Sequence, residues 1–543
     1  MQKTGCRCVG AATLVSALLL SVAGARAQNA TNHTFAEIVP SDGKATCTVP
    51  QVTFDGWFPN GVSVNGAVTP ADSVDFSDDP NCDFYIWSER MFLWLTSPAP
   101  ASYGFAAATR IFESKTFFDV SERDPNTGLR SLIGHPSGPS NVWLPPQAFG
   151  EVLKTQTGSF VYYARQVNDV FAYFRALVPD NPKPVFPTTQ SELTAIENFA
   201  QAQAAVTFAD PEALAIEVKS AWVKASTLSN AGSYITTTAT IAKYFKVPFF
   251  DIWGRDGSET VLMAMIGMHV VGSTKGHPEM IWATFEHLDN APNATFTYRD
   301  ASNNVNTVAP ENPTQPGWLL CGSGADSTVL GNFNIMNTNY IHPSIFATND
   351  SGNPSDTMRM KAWGGASDFS PNPISPLNSS TSSNTEIISI NNSIHGKMEA
   401  QATGDVRNNY FMVGASWTAF GQSPTDPFKN SFTLDGNGII LDNQVGTSKL
   451  ANTTMETYEQ GDDTTWASGG QTCMDCHTDS PKAPQSGVTV SHVFTELPQV
   501  APPLPLHPVP SLSVTLLTAL GAGLLGAGVF SLSRHRKLGF DRP

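Results

Sequence analysis

Apolar residues recur at helical spacing in two places. Phe84, Trp87, Met91, Trp94 and Leu95 fall on one stripe that stops before Pro98, which predicts a buried helix. Thr189 with Glu192 three residues on reads as a capping box, and Leu193, Ile196 and Phe199 extend the apolar face of a second helix. Elsewhere the pattern is that of extended chain. Phe160 to Tyr163, the alternation Ile216, Val218, Ser220, Trp222, and Tyr410 to Val413 predict strands. The apolar run Val261 to Val271 fits a strand, and by length alone a helix also. Ser370 to Asn392 is low in complexity and is expected to be a long surface loop. The balance predicts an α+β fold with a β-rich body and a few helices.

Both ends depart from this pattern. Lys3 and Arg7 precede an apolar stretch from Val9 to Gly24 and a small-x-small site at Ala25-Arg26-Ala27, so residues 1–27 read as a secretory signal. Cys6 and Cys8 leave with it. Leu512 to Leu532 is an uncharged run of 21 residues followed by Arg534, His535, Arg536 and Lys537. About 20 apolar residues cross a bilayer, so residues 512–533 are expected to form a transmembrane helix and 534–543 a basic cytoplasmic tail. That orientation places the body on the periplasmic or cell-surface side, anchored to the inner membrane. Residues 498–511 form a Pro-rich linker, extended at about 3 Å per residue. The tail, with Val509-Pro510-Ser511-Leu512 ahead of the apolar run, resembles the PEP-CTERM and IPTL-CTERM sorting tails, which implies processing by a sorting protease; the glutamate of a Pro-Glu-Pro motif is absent.

The composition narrows the function. Of 543 residues, 14% are charged and the formal net charge is -16, which repels phosphate backbones and argues against nucleic-acid binding. Beyond the signal five cysteines remain, in a compartment where disulfides persist. Cys47 and Cys82 are the expected pair, leaving Cys321, in the apolar run Trp318 to Cys321, as a buried thiol.

The other two cysteines belong to Cys473-Met474-Asp475-Cys476-His477. Two thiols at this spacing reach one porphyrin edge while the adjacent histidine reaches the iron. With 7 Cys and 11 His in the chain, a chance match is rare. Zinc would want a second Cys or His pair, and no second CxxC exists. A redox dithiol belongs beside a βαβ pattern, whereas this motif lies in the polar stretch Gly461 to Gly487. The five residues resemble the motif of c-type cytochromes, which implies one covalent haem c held by Cys473 and Cys476 with His477 as iron ligand. Phe84 to Pro98, Gly267 to Val271 and Met280 to Asn290 resemble stretches of exported bacterial proteins with a haem motif near the C-terminus.

Only about 20 residues separate His477 from Pro498, too few to enclose a haem, so the body 28–450 must wall the attachment segment 451–497. For the sixth iron position the candidates are His492, Met455, and His269 beside Met263, Met265 and Met268; an open position is the remaining choice. His277, Glu279, Glu286 and His287 match no helical zinc spacing and are expected in solvated or core-capping roles. The leading functional expectation is an electron-transfer protein serving a redox partner protein or a membrane quinone-linked enzyme. The alternatives are a peroxidase- or oxidase-like haem enzyme, or a haem sensor, with open iron, and a surface binding module with haem as an accessory.

Overall fold

The computed structural model describes residues 31–77, 81–100, 103, 110–124, 126–134, 142–145, 151–180, 184–249, 252–322, 336–338, 345–347, 353–364, 380–418, 420–422, 444–447, 450–457, 460, 473, 477, 490–500 and 502. The expected signal, transmembrane helix, basic tail and most of the linker lie outside them. Among the described residues no helix is long and apolar enough to cross a membrane. The described residues all fall within one compact unit that ends at Leu504. The described residues of 451–497 belong to that unit.

The body is built on a large, mainly antiparallel sheet. Its strands are β1 (Phe117–Val120), β2 (Leu132–Gly134), β3 (Tyr162–Asn168), β4 (Ile216–Lys224), β5 (Thr236–Lys246), β6 (Ile252–Thr274), β7 (His277–His287), β8 (Tyr410–Thr418) and β9 (Gln444–Gly446). The order across the sheet is β9-β8-β7-β6-β4-β3-β1-β2, with β5 paired to the first half of β6. The ambiguous run Val261 to Val271 is strand, the middle of the 23-residue β6. Alternate residues of a strand face opposite ways. Val270 and Ala283 accordingly join one core cluster, while Val271 and Trp282 join another.

Helix α1 (Cys82–Leu95) covers the first face, as its apolar stripe predicts. Phe92 stacks on Phe285 of β7 at 4.3 Å between ring centroids, and Phe84 on Trp417 of β8 at 4.0 Å. On the other face lie α2 (Asp169–Leu177) and α3 (Gln190–Ala204). Thr189 caps α3 with the expected box to Glu192. The Cys47–Cys82 disulfide is present, tying the start of α1 to the N-terminal segment, and Cys321 is buried.

The expected loop Ser370 to Asn392 is corrected. Ser380–Gln401 is a 22-residue helix, α4; residues 370–379 lie outside the described set. Its apolar stripe is thin, with Ile387, Ile388, Ile390, Ile394 and Met398 buried, and its polar side chains are buried beside them as bonding partners. Ser389 Oγ accepts the Cys47 amide at 3.0 Å and donates to the Cys47 carbonyl at 2.9 Å; Asn391 pairs in the same way with Met412 of β8. A polar sequence reads as loop when its hydrogen bonds go to water, and these go to backbone.

A candidate haem-attachment site

The sheet supplies the floor. Across the strands Glu217, Val271, Trp282 and Ser416 align in one row, and Lys219, His269, Thr284 and Gly414 in the next row on the same face. Thr447 and the chain from Leu450 to Thr457 lie across this face. Gly414 and Gly267 make the approach possible, since a Cβ at either would collide with Thr447 or Thr454. Buried Glu286 accepts the Thr453 amide at 2.8 Å, the Thr453 hydroxyl, and the Arg359 guanidinium at 2.8 Å. Leu450 then receives the motif: its carbonyl accepts the Cys473 amide at 3.3 Å.

Cys473 and His477 are one turn apart, with the His477 amide donating to the Cys473 carbonyl at 3.0 Å. Cys476 lies outside the described residues. The His477 ring packs against Trp282, at 4.3 Å between centroids, and its Nδ1 donates to the Val490 carbonyl at 2.7 Å. That bond fixes the tautomer and leaves Nε2 as the lone-pair nitrogen, with no hydrogen-bond partner among the described residues. Burial, reinforced by His492 alongside, pushes the imidazole down to about 3, so the ring is neutral at any ordinary pH. A neutral histidine oriented through its distal N–H is what an iron site asks of its protein ligand. The residues present fit the group.

The wall behind Val490 is apolar. Helix α5 (His492–Glu496) starts with Ser491 as its cap and buries Val493 and Phe494. Phe494 meets Phe171, Phe174 and Phe186 at 5.4–5.9 Å. Arg175 lies over the Phe494 ring at 4.9 Å and donates to the Leu497 carbonyl. Glu496 pairs with Arg123 and Arg130.

The opposite wall is charged. Glu456 takes His269 Nε2 at 3.0 Å and Lys219 Nζ at 3.5 Å. Burial alone would raise its carboxyl, but His269, Lys219 and His477 outweigh that and hold it at about 2. Glu217 accepts the Ser491 hydroxyl at 2.6 Å, and burial raises it to about 7.

The three candidates for the sixth position are placed differently. His492 is exposed and stacks on His477 at 4.5 Å and 26°. Met455 is fully buried in an apolar cluster with Leu153, Tyr163, Leu319 and Leu320. His269 has both ring nitrogens engaged, Nδ1 with Thr284 at 2.8 Å and Nε2 with Glu456. The four-residue cluster on β7 is buried throughout, which removes the solvated option. His277 pairs with Glu279 at 2.8 Å, Glu286 with Arg359, and His287 stacks on Tyr234 at 3.7 Å.

Sequence reasoning did not find Trp282, Val490, Glu456, Glu217 or Lys219. Trp282 sits in a strand buried on both faces, where no alternation singles it out. Val490 acts through its carbonyl and leaves no trace in residue type. Compared with family models, curated proteins and solved structures, the chain matches none.

Proposed function

We propose that this chain is an exported, membrane-anchored protein that carries one haem c on Cys473, Cys476 and His477 and moves single electrons. The observation that carries the reading is the Nδ1–H bond of His477 to the Val490 carbonyl, which presents a neutral Nε2 beside a motif of the right spacing. Bound haem supplies one-electron chemistry at its iron. The chain's own part is to hold His477 against Trp282, to close one side with Val493 and Phe494, and to keep ionised Glu456 nearby. A carboxylate there favours the more positive state of any centre it faces. The redox partner is a soluble protein or a membrane quinone-linked enzyme.

A second reading, an open iron serving catalysis or sensing, is favoured by one observation. His477 and His492 stack ring against ring at 4.5 Å, so His477 would hold the group and His492 would pack beside it without sharing that task. Optical spectra of the matured protein, oxidised and reduced, with and without carbon monoxide, separate the two. A low-spin spectrum indifferent to carbon monoxide supports electron transfer; a high-spin form that binds it supports open iron. Haem that survives denaturation in the Cys473→Ala/Cys476→Ala variant overturns both.

A further inference from the structure

Among the described residues, three exposed large apolar side chains stand together at the turn between β5 and β6. Phe249, in the turn, is shaded by no part of the fold, and Phe245 and Ile252 are 50% and 37% exposed. The register explains the grouping. Phe245 lies opposite Gly254 and lays its ring over that glycine, where a Cβ would meet it at 2.8 Å. Val247, two residues on, donates its amide to the Ile252 carbonyl at 2.8 Å. Alternate residues share a face, so Phe245, Val247 and Ile252 form one apolar strip that runs out to Phe249. The other face is basic and rooted in the body. Trp253 is buried there with Val152 and Ile345, edge-on to Phe160 at 5.8 Å. Lys154 and Lys246 lie over its indole at 5.9 and 5.4 Å, and Arg255 is exposed on the same face. Lys243 is offset by Asp256 at 3.2 Å. Lys154, Lys246 and Arg255 thus border the strip, in a chain whose net charge is -16.

Two features point to a partner for this strip. Phe249 has a φ of 67°, a left-handed backbone that suits glycine or asparagine and strains a bulky residue. The turn is better made without that ring, so the ring is accounted for by what it touches. Contiguous apolar surface in water, rimmed by polar groups, marks a contact site. A partner strand is not the occupant on the Ile252 side, because Ile345–Ala347 already pairs there. A bilayer accepts what the tip offers: apolar rings enter its acyl boundary, tryptophan sits at its headgroups, and Lys and Arg reach its phosphates. Lipid is also within reach on the anchored reading. Leu512, where the apolar run begins, lies ten residues past the last described residue, about 30 Å of extended linker.

We propose that the β5–β6 turn is a second membrane contact, in which Phe249, Phe245 and Ile252 dip into a phospholipid surface while Lys154, Lys246 and Arg255 meet anionic headgroups. The tether alone leaves the body free to swing about its linker; a docked turn fixes which side of the body faces lipid. The proposal rests on the membrane-anchored reading and is independent of the haem.

The test uses the full chain reconstituted in vesicles of phosphatidylcholine and phosphatidylglycerol, with acyl chains either plain or brominated, since bromine quenches indoles that enter the bilayer. Phe249→Trp reports the tip. Val305→Trp, at a 53% exposed position in the separate hairpin Phe296–Val308, is the control. Brominated vesicles should remove about half of the emission added by Phe249→Trp, as for a ring at the acyl boundary, and none of that added by Val305→Trp. No quenching of Phe249→Trp overturns the proposal, as does equal quenching of both. So does a concentration-dependent blue shift of the Phe249→Trp emission without vesicles, which makes a second copy of the chain the occupant. An alkaline wash of the vesicles tests the anchor separately. Chain that resists the wash but is unquenched at the tip leaves the anchor standing and overturns the docking; chain that is quenched and then washed off supports the docking and overturns the anchor.

Discussion

The two pieces of chain that clasp the motif are held by opposite kinds of force. Residues 450–457 are fixed by polar contacts, buried where Thr453 and Arg359 meet Glu286 and half-buried where His269 and Lys219 meet Glu456. Residues 490–497 are fixed mainly by aromatic packing around Phe494, with buried Arg175 over that ring and Glu217 and Glu496 bonding the ends of the segment. The polar clasp sets position sharply, because a buried ion pair tolerates no slippage, and it contributes less net stability than its contacts suggest. The apolar clasp contributes stability and is less demanding of geometry.

The largest expected effect tests that asymmetry on the polar side. Arg359→Met leaves Glu286 buried without its cation and should cost about 4 kcal/mol in urea unfolding; a loss under 1 kcal/mol would show that the pair is solvated. Phe494→Ala should cost about 3 kcal/mol on the apolar side and loosen the Val490 carbonyl that orients His477.

The pH dependence of the two clasps should run in opposite directions. Glu456 falls to about 2 from an ordinary 4.5, so its contribution is complete above pH 4.5 and is lost as pH falls toward 2. Glu217 rises to about 7, so its neutral form is favoured in the fold and stability is lost as pH climbs from 4.5 through 7. Unfolding curves of Glu456→Gln and Glu217→Gln against the unaltered protein across pH 3–8 should each flatten one limb. If a single substitution flattens both, the two carboxyls are coupled and the comparison fails. Smallest, Ser491→Ala removes the cap of α5 and the bond to Glu217, a loss of about 1 kcal/mol.

What the sequence revealed follows the range of the interactions involved. The stripe from Phe84 to Leu95 and the box at Thr189 are local, decided within a few residues, and both helices stand where they are expected. The strand at Val261 to Val271 required the sheet to choose between two local options. Helix α4 was hidden because Ser389 and Asn391 are polar residues with protein partners more than twenty residues away in the chain. The motif is a local signal of the same kind, five residues whose proposed chemistry is written in their spacing. Its surroundings are not, since Trp282 and Glu456 reach His477 only through the fold.

The Cys47–Cys82 bond sets a problem of timing. Those two sulfurs are oxidised to each other, whereas the haem attachment proposed for Cys473 and Cys476 would consume reduced thiols, and on the proposed export the two chemistries would share one compartment. A stray link between the pairs would block both. Cys321, buried away from exchange, stays out of that competition. On the proposed reading, closing this short N-terminal link, 35 residues apart in sequence, ahead of the C-terminal motif would remove the first pair from circulation and leave the second pair to haem alone.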